Sequence, residues 1–142
     1  MRKVITALAL IALAGCSTSQ VPADKALQVP ADRVLAYSSK PMAPYGTIVV
    51  TRDTGLIGGA CFVGILVDGK FSARIDTGEA VSLYVPVGEH LIGLAGDEHS
   101  GGVCGWGELR KEQSTSISTG QVKRFRIGGD TNTGLDIRPS SI

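Results

Sequence analysis

The sequence predicts an all-β fold, a small antiparallel β-sandwich or barrel of about seven to eight short strands. Three observations carry that expectation. From Tyr45 onward, apolar and polar residues alternate with a period of two, and no window there holds a 3.6-residue period. Turn residues recur between the alternating runs, at Asp68-Gly69, Thr77-Gly78 and Pro86-Val87-Gly88. Glycine supplies 19 of 142 residues, roughly twice the usual share of about 7%, which favours turns over helices.

Taken in order, Thr47 to Arg52 is a β-branched run, and Cys61 to Val67 is almost wholly apolar, as a buried central strand is. Asp68-Gly69 closes a hairpin onto Phe71, Ala73 and Ile75, which alternate with Ser72 and Arg74, so the first set faces the core and the second faces water. Val81, Leu83 and Val85 alternate with Ala80, Ser82 and Tyr84. His90 to Ala95 forms the next strand. A glycine-rich loop, Gly96 to Gly107, follows and carries Cys104 and Trp106. Three last strands are expected at Gln113 to Ser118, Val122 to Ile127 and Leu135 to Arg138. The predicted interior is Val63, Ile65, Val67, Phe71, Ile75, Val81, Leu83, Ile92, Leu94, Phe125 and Ile137.

Ahead of the strands, residues 16–44 read as a flexible tether. They hold Pro22, Pro30, Pro41 and Pro44 and repeat Val-Pro-Ala-Asp at 21–24 and 29–32. Pro30 is placed to start a short helical turn over Ala31 to Tyr37 that packs Val34 and Leu35 on the domain.

The first fifteen residues have the layout of a secretory signal peptide. Arg2 and Lys3 precede an apolar run, Val4 to Ala14, interrupted by Thr6 alone. That run is too short for a membrane span, which needs about 20 residues. Leu13-Ala14-Gly15-Cys16 resembles the lipobox of bacterial lipoproteins. The resemblance implies cleavage before Cys16, a diacylglycerol on its thiol and palmitate-class acylation. One acyl chain gives reversible binding of about 10⁴ M⁻¹, and several give a lasting anchor. Ser17 rather than Asp after the cysteine implies, by the same resemblance, an outer-membrane lipoprotein facing the periplasm; the inner membrane and the cell surface remain open.

The formal charge is +1, and removal of Arg2 and Lys3 brings the side-chain balance to −1. No basic surplus is available to hold nucleic acid. With Cys16 lipidated, Cys61 and Cys104 form an even pair in an oxidising compartment and are expected as a disulfide. Paired thiols acting as metal or catalytic groups fit that compartment poorly.

Thr51-Arg52-Asp53, Gly59-Ala60-Cys61, Val67-Asp68-Gly69-Lys70, Thr77-Gly78-Glu79, Val85 to His90 and Cys104 resemble a domain family of unknown function found in small bacterial lipoproteins. The likeness covers residues 46–138. Ile65 to Gly96 is also similar to PEGA-type surface modules. Both resemblances imply an Ig-like or prealbumin-like sandwich over residues 45–142, in envelope proteins of structural or binding role.

The polar clusters give little chemistry. Asp97-Glu98-His99-Ser100 reads as a solvated loop tip, since adjacent loop residues rarely converge on one metal. His90 and His99 lack the H-E-x-x-H spacing, and His90 is expected to lie exposed at a strand start. No G-x-S-x-G elbow is present, and Gly102 to Gly107 is followed by no Lys-Ser/Thr, so it does not make a nucleotide loop. Glu79 and Glu89 read as strand-edge charges. Lys123-Arg124-Phe125-Arg126 is the basic run; Arg124 and Arg126 share one face, and their expected role is to protect a sheet edge or form an anion patch. Tyr84 and Trp106, with these arginines, are the candidate partner contacts, and packing of Trp106 on the disulfide is the equal alternative for that residue.

The functional expectation is therefore a non-enzymatic, membrane-anchored envelope lipoprotein with a structural or binding sandwich. It needs no cofactor, metal or nucleotide, and its partner is unidentified. The alternative is an envelope inhibitor, immunity or exclusion factor that binds a toxin, a hydrolase or a phage component. A hydrolase is disfavoured.

Overall fold

Two sheets face each other across one apolar layer in the computed structural model, which describes residues 16–105 and 108–142. The predicted signal peptide and Trp106 lie outside the described residues. The first sheet runs, in spatial order, β1 (Leu27–Gln28), β5 (Glu79–Pro86), β2 (Tyr45–Arg52), β8 (Val122–Asp130) and β9 (Gly134–Ser140). The second runs β4 (Lys70–Ile75), β3 (Val63–Val67), β6 (Gly88–Gly96) and β7 (Arg110–Ile117). The fold is a β-sandwich, as the alternation predicts.

The first sheet is mixed rather than purely antiparallel. β2 pairs with β8 in parallel, and β1 pairs with β5 in parallel. The cause is topological. After β2 the chain crosses to the second sheet, returns as β5 on one side of β2, and fills the other side with β8, which runs in the same direction as β2.

Alternation along each strand decides the core. Ile48 and Val50, Val81, Leu83 and Val85, Phe125 and Ile127, and Leu135 and Ile137 come from one sheet. They meet Val63, Ile65 and Val67, Ala73 and Ile75, Ile92 and Leu94, and Ile117 from the other. Of the predicted interior, Phe71 alone is misplaced. The β3–β4 register slips between Ile65 and Leu66, so Ile65 faces Ala73 while Leu66 faces Phe71 and Ser72 is skipped. One extra residue reverses the phase. Ser72 is therefore buried, its hydroxyl donating to the Lys70 carbonyl at 2.9 Å. Phe71 turns outward over Gly64, where any Cβ would collide with its ring. The Asp68-Gly69 hairpin forms as expected, with φ of 52° and 74°, the paired positive values of a type I′ turn.

Residues 17–44 are not a free tether. Ser17 and Ser19 bridge to Asp130 and Thr54. β1 adds to the edge of β5, and Val29 and Ala36 are buried. The Leu35 and Ala36 amides donate to the Ser72 carbonyl at 2.8 and 3.1 Å, and Val34 bridges Ala73, so this segment covers the β4 edge. The expected helical turn is a single 3₁₀ turn, Ala31–Arg33; Val34 packs against the core, whereas Leu35 stays exposed. The proline-rich composition concealed this because the segment docks largely through backbone hydrogen bonds, which side-chain patterning does not record. Edge protection by Lys123 to Arg126 is also corrected: β8 is an inner strand, between β2 and β9.

The strand directions sort the loops. Residues 16–19 and loops 53–62, 76–78, 97–105 and 131–133 gather at one end of the sandwich. The hairpins at 68–69 and 86–88, the turn at 118–121 and residues 38–44 occupy the other.

Leu83 is fully buried and Ser82 lies on the outer face. Leu83→Ala should lose about 2–5 kcal/mol through transfer and cavity terms, while Ser82→Ala stays within about 0.5 kcal/mol. Urea melts of the two variants check the strand phase.

Candidate interaction surfaces

Most charged side chains at the loop end are tied into the fold. Arg52 is 1% exposed. Its Nη1 donates to the carbonyls of Cys61 (2.7 Å) and Ile75 (2.8 Å), and its Nη2 to that of Gly58 (2.6 Å). Burial lowers its pKa, against the opposing pull of Asp76 and Glu79. Asp53, next in sequence, points to the other face. It accepts from the Thr18 hydroxyl at 2.7 Å and from the Arg126 guanidinium through both oxygens.

Two expectations about acidic residues are corrected here. Asp97 is not part of a solvated tip: it is fully buried and accepts from Arg74 at 2.9 and 2.7 Å and from the Ser100 hydroxyl. Glu98 and His99 beside it do project to water. Glu79 is not a free edge charge: Arg33 grips both its oxygens at 2.8 and 2.6 Å, and the Asp76 amide adds a third bond. Burial works against ionisation of Asp97 and Glu79, but these donors outweigh it and hold both carboxyls below their usual range. Glu89 is exposed, as expected. The Phe62 ring lies beside both partner cations, 4.6 Å from Arg33 and 4.8 Å from Arg74.

Cys61 and Cys104 form the expected disulfide. It joins loop 53–62 to loop 97–105 and closes a span of 43 residues, worth about 4 kcal/mol in the chain-entropy estimate.

His90 is also not exposed; its side chain keeps 9% of its accessible surface. Nδ1 faces an Asp68 oxygen and Nε2 faces the Pro86 carbonyl, both at 2.7 Å. Both partners are acceptors, so the doubly protonated ring satisfies both. Burial lowers the His90 pKa, yet Asp68 and the Pro86 carbonyl outweigh it and the net shift is upward. Asp68, held by His90 and the Leu91 amide, is shifted downward despite its own desolvation.

The candidate contact residues part company. Tyr84, Arg124 and Arg126 all lie on the outer face of the first sheet, in rows set by β2: Tyr84 and Val122 flank Thr47, Ser82 and Arg124 flank Val49, and Ala80 and Arg126 flank Thr51. Arg126 is consumed by Asp53 and by Gln20, which accepts at 3.1 Å, so it serves as a clamp. Arg124 is exposed, beside Lys123, Glu89 and Ser140 in a groove of about 520 Å³ that Val122, Phe125 and Pro139 also line. Tyr84 stands edge-on to Tyr45 at 5.9 Å, with the Lys40 ammonium 5.7 Å from its ring. The two tyrosines, Pro41, Met42, Pro44, Val49 and Val122 line an open trough of about 680 Å³. Sequence reasoning missed Tyr45 and the proline wall because it took residues 41–44 for spacer. Cys16 is exposed at the loop end.

Among the described residues, no group of three or more His, Cys, Asp or Glu side chains is placed to hold a metal, and no helix is long and apolar enough to cross a membrane. No family model, no curated protein and no solved structure matches the chain.

Arg52→Met keeps bulk but strips the guanidinium from three carbonyls, of which that of Gly58 alone keeps a loop partner, the Cys61 amide at 3.2 Å, and should cost about 3–5 kcal/mol in urea melts. Arg52→Lys, which lacks the fork, should fall between it and wild type.

The His90–Asp68 pair sets a pH signature. A raised histidine stabilises below the unfolded value of about 6.5 and stops doing so as pH rises through the higher folded value. A depressed Asp68 stabilises above about pH 3.9 and stops as pH falls through its folded value. His90→Gln should therefore lower the urea midpoint more at about pH 5.5 than at about pH 9. An equal loss at both would show that the ring is neutral throughout.

Proposed function

We propose that the chain is a membrane-anchored envelope lipoprotein, lipidated on Cys16, whose sandwich is a non-enzymatic binding module. The observation that carries the binding role is the trough on the outer sheet face. Tyr45 and Tyr84 there offer rigid aromatic area, Pro41 and Pro44 wall one side, and Met42 is fully exposed beside them. Tyrosine supplies contact area at low entropic cost, and methionine adapts to irregular partners. By contrast, the charged groups best suited to chemistry, Arg52, Asp53, Glu79 and Asp97, are buried and bonded into loops. The anchor rests on the signal layout and on the lipobox-like Leu13-Ala14-Gly15-Cys16, with Cys16 accessible to an acylating enzyme. An outer-membrane, periplasm-facing location follows from Ser17 on the same resemblance.

Cys16→Ser should abolish incorporation of labelled fatty acid and release the protein from membranes; continued sedimentation with membranes would refute the anchor. For the trough, a photo-crosslinking residue at Tyr84 in intact cells should give a discrete adduct that the same residue at exposed Glu112 does not. Indistinguishable adduct patterns at the two positions would overturn the binding role.

A further inference from the structure

We propose that the loop end of the sandwich rests directly on the bilayer, with Leu56 and Val103 as its lipid-contacting side chains. This deepens the lipoprotein reading and depends on lipid at Cys16. The chain leaves no slack for the domain to stand clear of its anchor. Two residues past Cys16, the Thr18 amide donates to the Gly129 carbonyl at 2.9 Å, and Ser19 and Thr54 exchange amide-to-carbonyl bonds at 2.8 and 3.0 Å. The Thr18 hydroxyl holds buried Asp53. An extended chain spans at most about 3.6 Å per residue, so acyl chains on Cys16 enter the membrane within about 7 Å of the pinned strand.

The two most exposed apolar side chains at that end are ones the fold does not use. Leu56 is 92% exposed and Val103 is 84% exposed. Loop 53–62 stands beside the anchor: a Cβ at Gly55 would lie 3.3 Å from the Thr18 Cα. The Cys61–Cys104 disulfide ties this loop to the one that bears Val103, so the two side chains belong to one stapled unit. Apolar groups left in water beside an anchoring point are covered once the anchor inserts. The exposed charges beside these loops, Glu98 and Glu108, are acidic, and the cation at the rim, Lys111, is half-buried with its Nζ 3.2 Å from the Thr133 carbonyl, so no basic patch offers itself to lipid headgroups. The recognition is therefore apolar, and the occupant is the bilayer that holds the acyl chains. The opposite end supplies an internal control: exposed Met42 sits past the far terminus of β2, about 25 Å away at 3.3 Å per strand residue.

The test uses the full lipidated chain purified from membranes, in vesicles of brominated phosphatidylcholine. Mass spectrometry of the N-terminal peptide first reports lipid on Cys16; its absence overturns the lipoprotein reading and this inference with it. With lipid present, tryptophan placed by Leu56→Trp or Val103→Trp in a Trp106→Phe background should be strongly quenched, and Met42→Trp should not. A second readout needs no substitution: a water-soluble amine reagent should label Lys111 several-fold less in vesicles than in detergent, while labelling of Lys40 and Lys70 is unchanged. Lipidated protein whose positions 56 and 103 are as bright as 42, or whose Lys111 labels equally in both media, overturns the inference while leaving the lipoprotein reading intact.

Discussion

The guanidinium of Arg52 sits where the chain leaves one sheet for the other, and much of the loop end is organised around it. Its two nitrogens gather the carbonyls of Gly58 and Cys61 on the crossing loop and of Ile75 at the end of β4. A buried carbonyl left without a donor costs about 1–3 kcal/mol, and one side chain serves two carbonyls on the crossing loop and one at the end of β4, with the Cys61 amide adding a second bond to Gly58 at 3.2 Å. Fixing the Cys61 carbonyl also fixes the Cys61 backbone, and through it the disulfide to loop 97–105. Lysine would not substitute, because three acceptors in different directions need the planar fork.

Asp53 extends the same device outward. Adjacent strand residues point to opposite faces, so while Arg52 reaches into the crossing loop, Asp53 reaches the other way to Arg126 and Thr18. This dipeptide thereby joins the sheet-crossing loop, the inner strand β8 and the N-terminal segment. Arg33–Glu79 and Arg74–Asp97 repeat the arrangement around Phe62. Each carboxylate is nearly or fully buried and answered by a cation and at least one further donor, the condition under which buried charge is tolerated.

The sandwich, the order of its strands from Tyr45 onward and nearly all of its core were legible in the sequence, because burial on one face writes a period of two. Phe71 was not: a bulge costs one residue and leaves no compositional mark, yet it reverses every side chain beyond it. Of the docking of segment 17–37 only the packing of Val34 was foreseen; the rest escaped notice for a different reason, since β1 and the edge contacts at Ser72 are made by backbone atoms that every residue carries. Asp97, Glu79 and His90 were read as solvent-facing because charge alone suggests water; their partners, Arg74, Arg33 and Asp68, are 23, 46 and 22 residues away. Tyr84 was legible as an outer-face aromatic, but the trough needed Tyr45 and the prolines, which the tether reading had set aside.

Docking of the N-terminal segment changes what the sandwich presents and where. A free spacer of some 28 residues would decouple the domain from Cys16 and let either end face a partner. With Thr18 and Ser19 locked to Gly129 and Thr54, a group attached at Cys16 lies at the loop end, and the Tyr45–Tyr84 trough opens on the sheet face toward the opposite end. The trough reaches up β2 as far as Val49, so the two surfaces are separated along the strands by the last part of β2. In the proposed anchored state, loops stapled by the disulfide and the ion pairs would face the anchor, and the aromatic face would stay free. In that state the rigidity of the loop end has a physical consequence: a short attachment transmits orientation to the domain only if the residues next to it do not fray, and the Asp53–Thr18–Arg126 knot holds those residues in place.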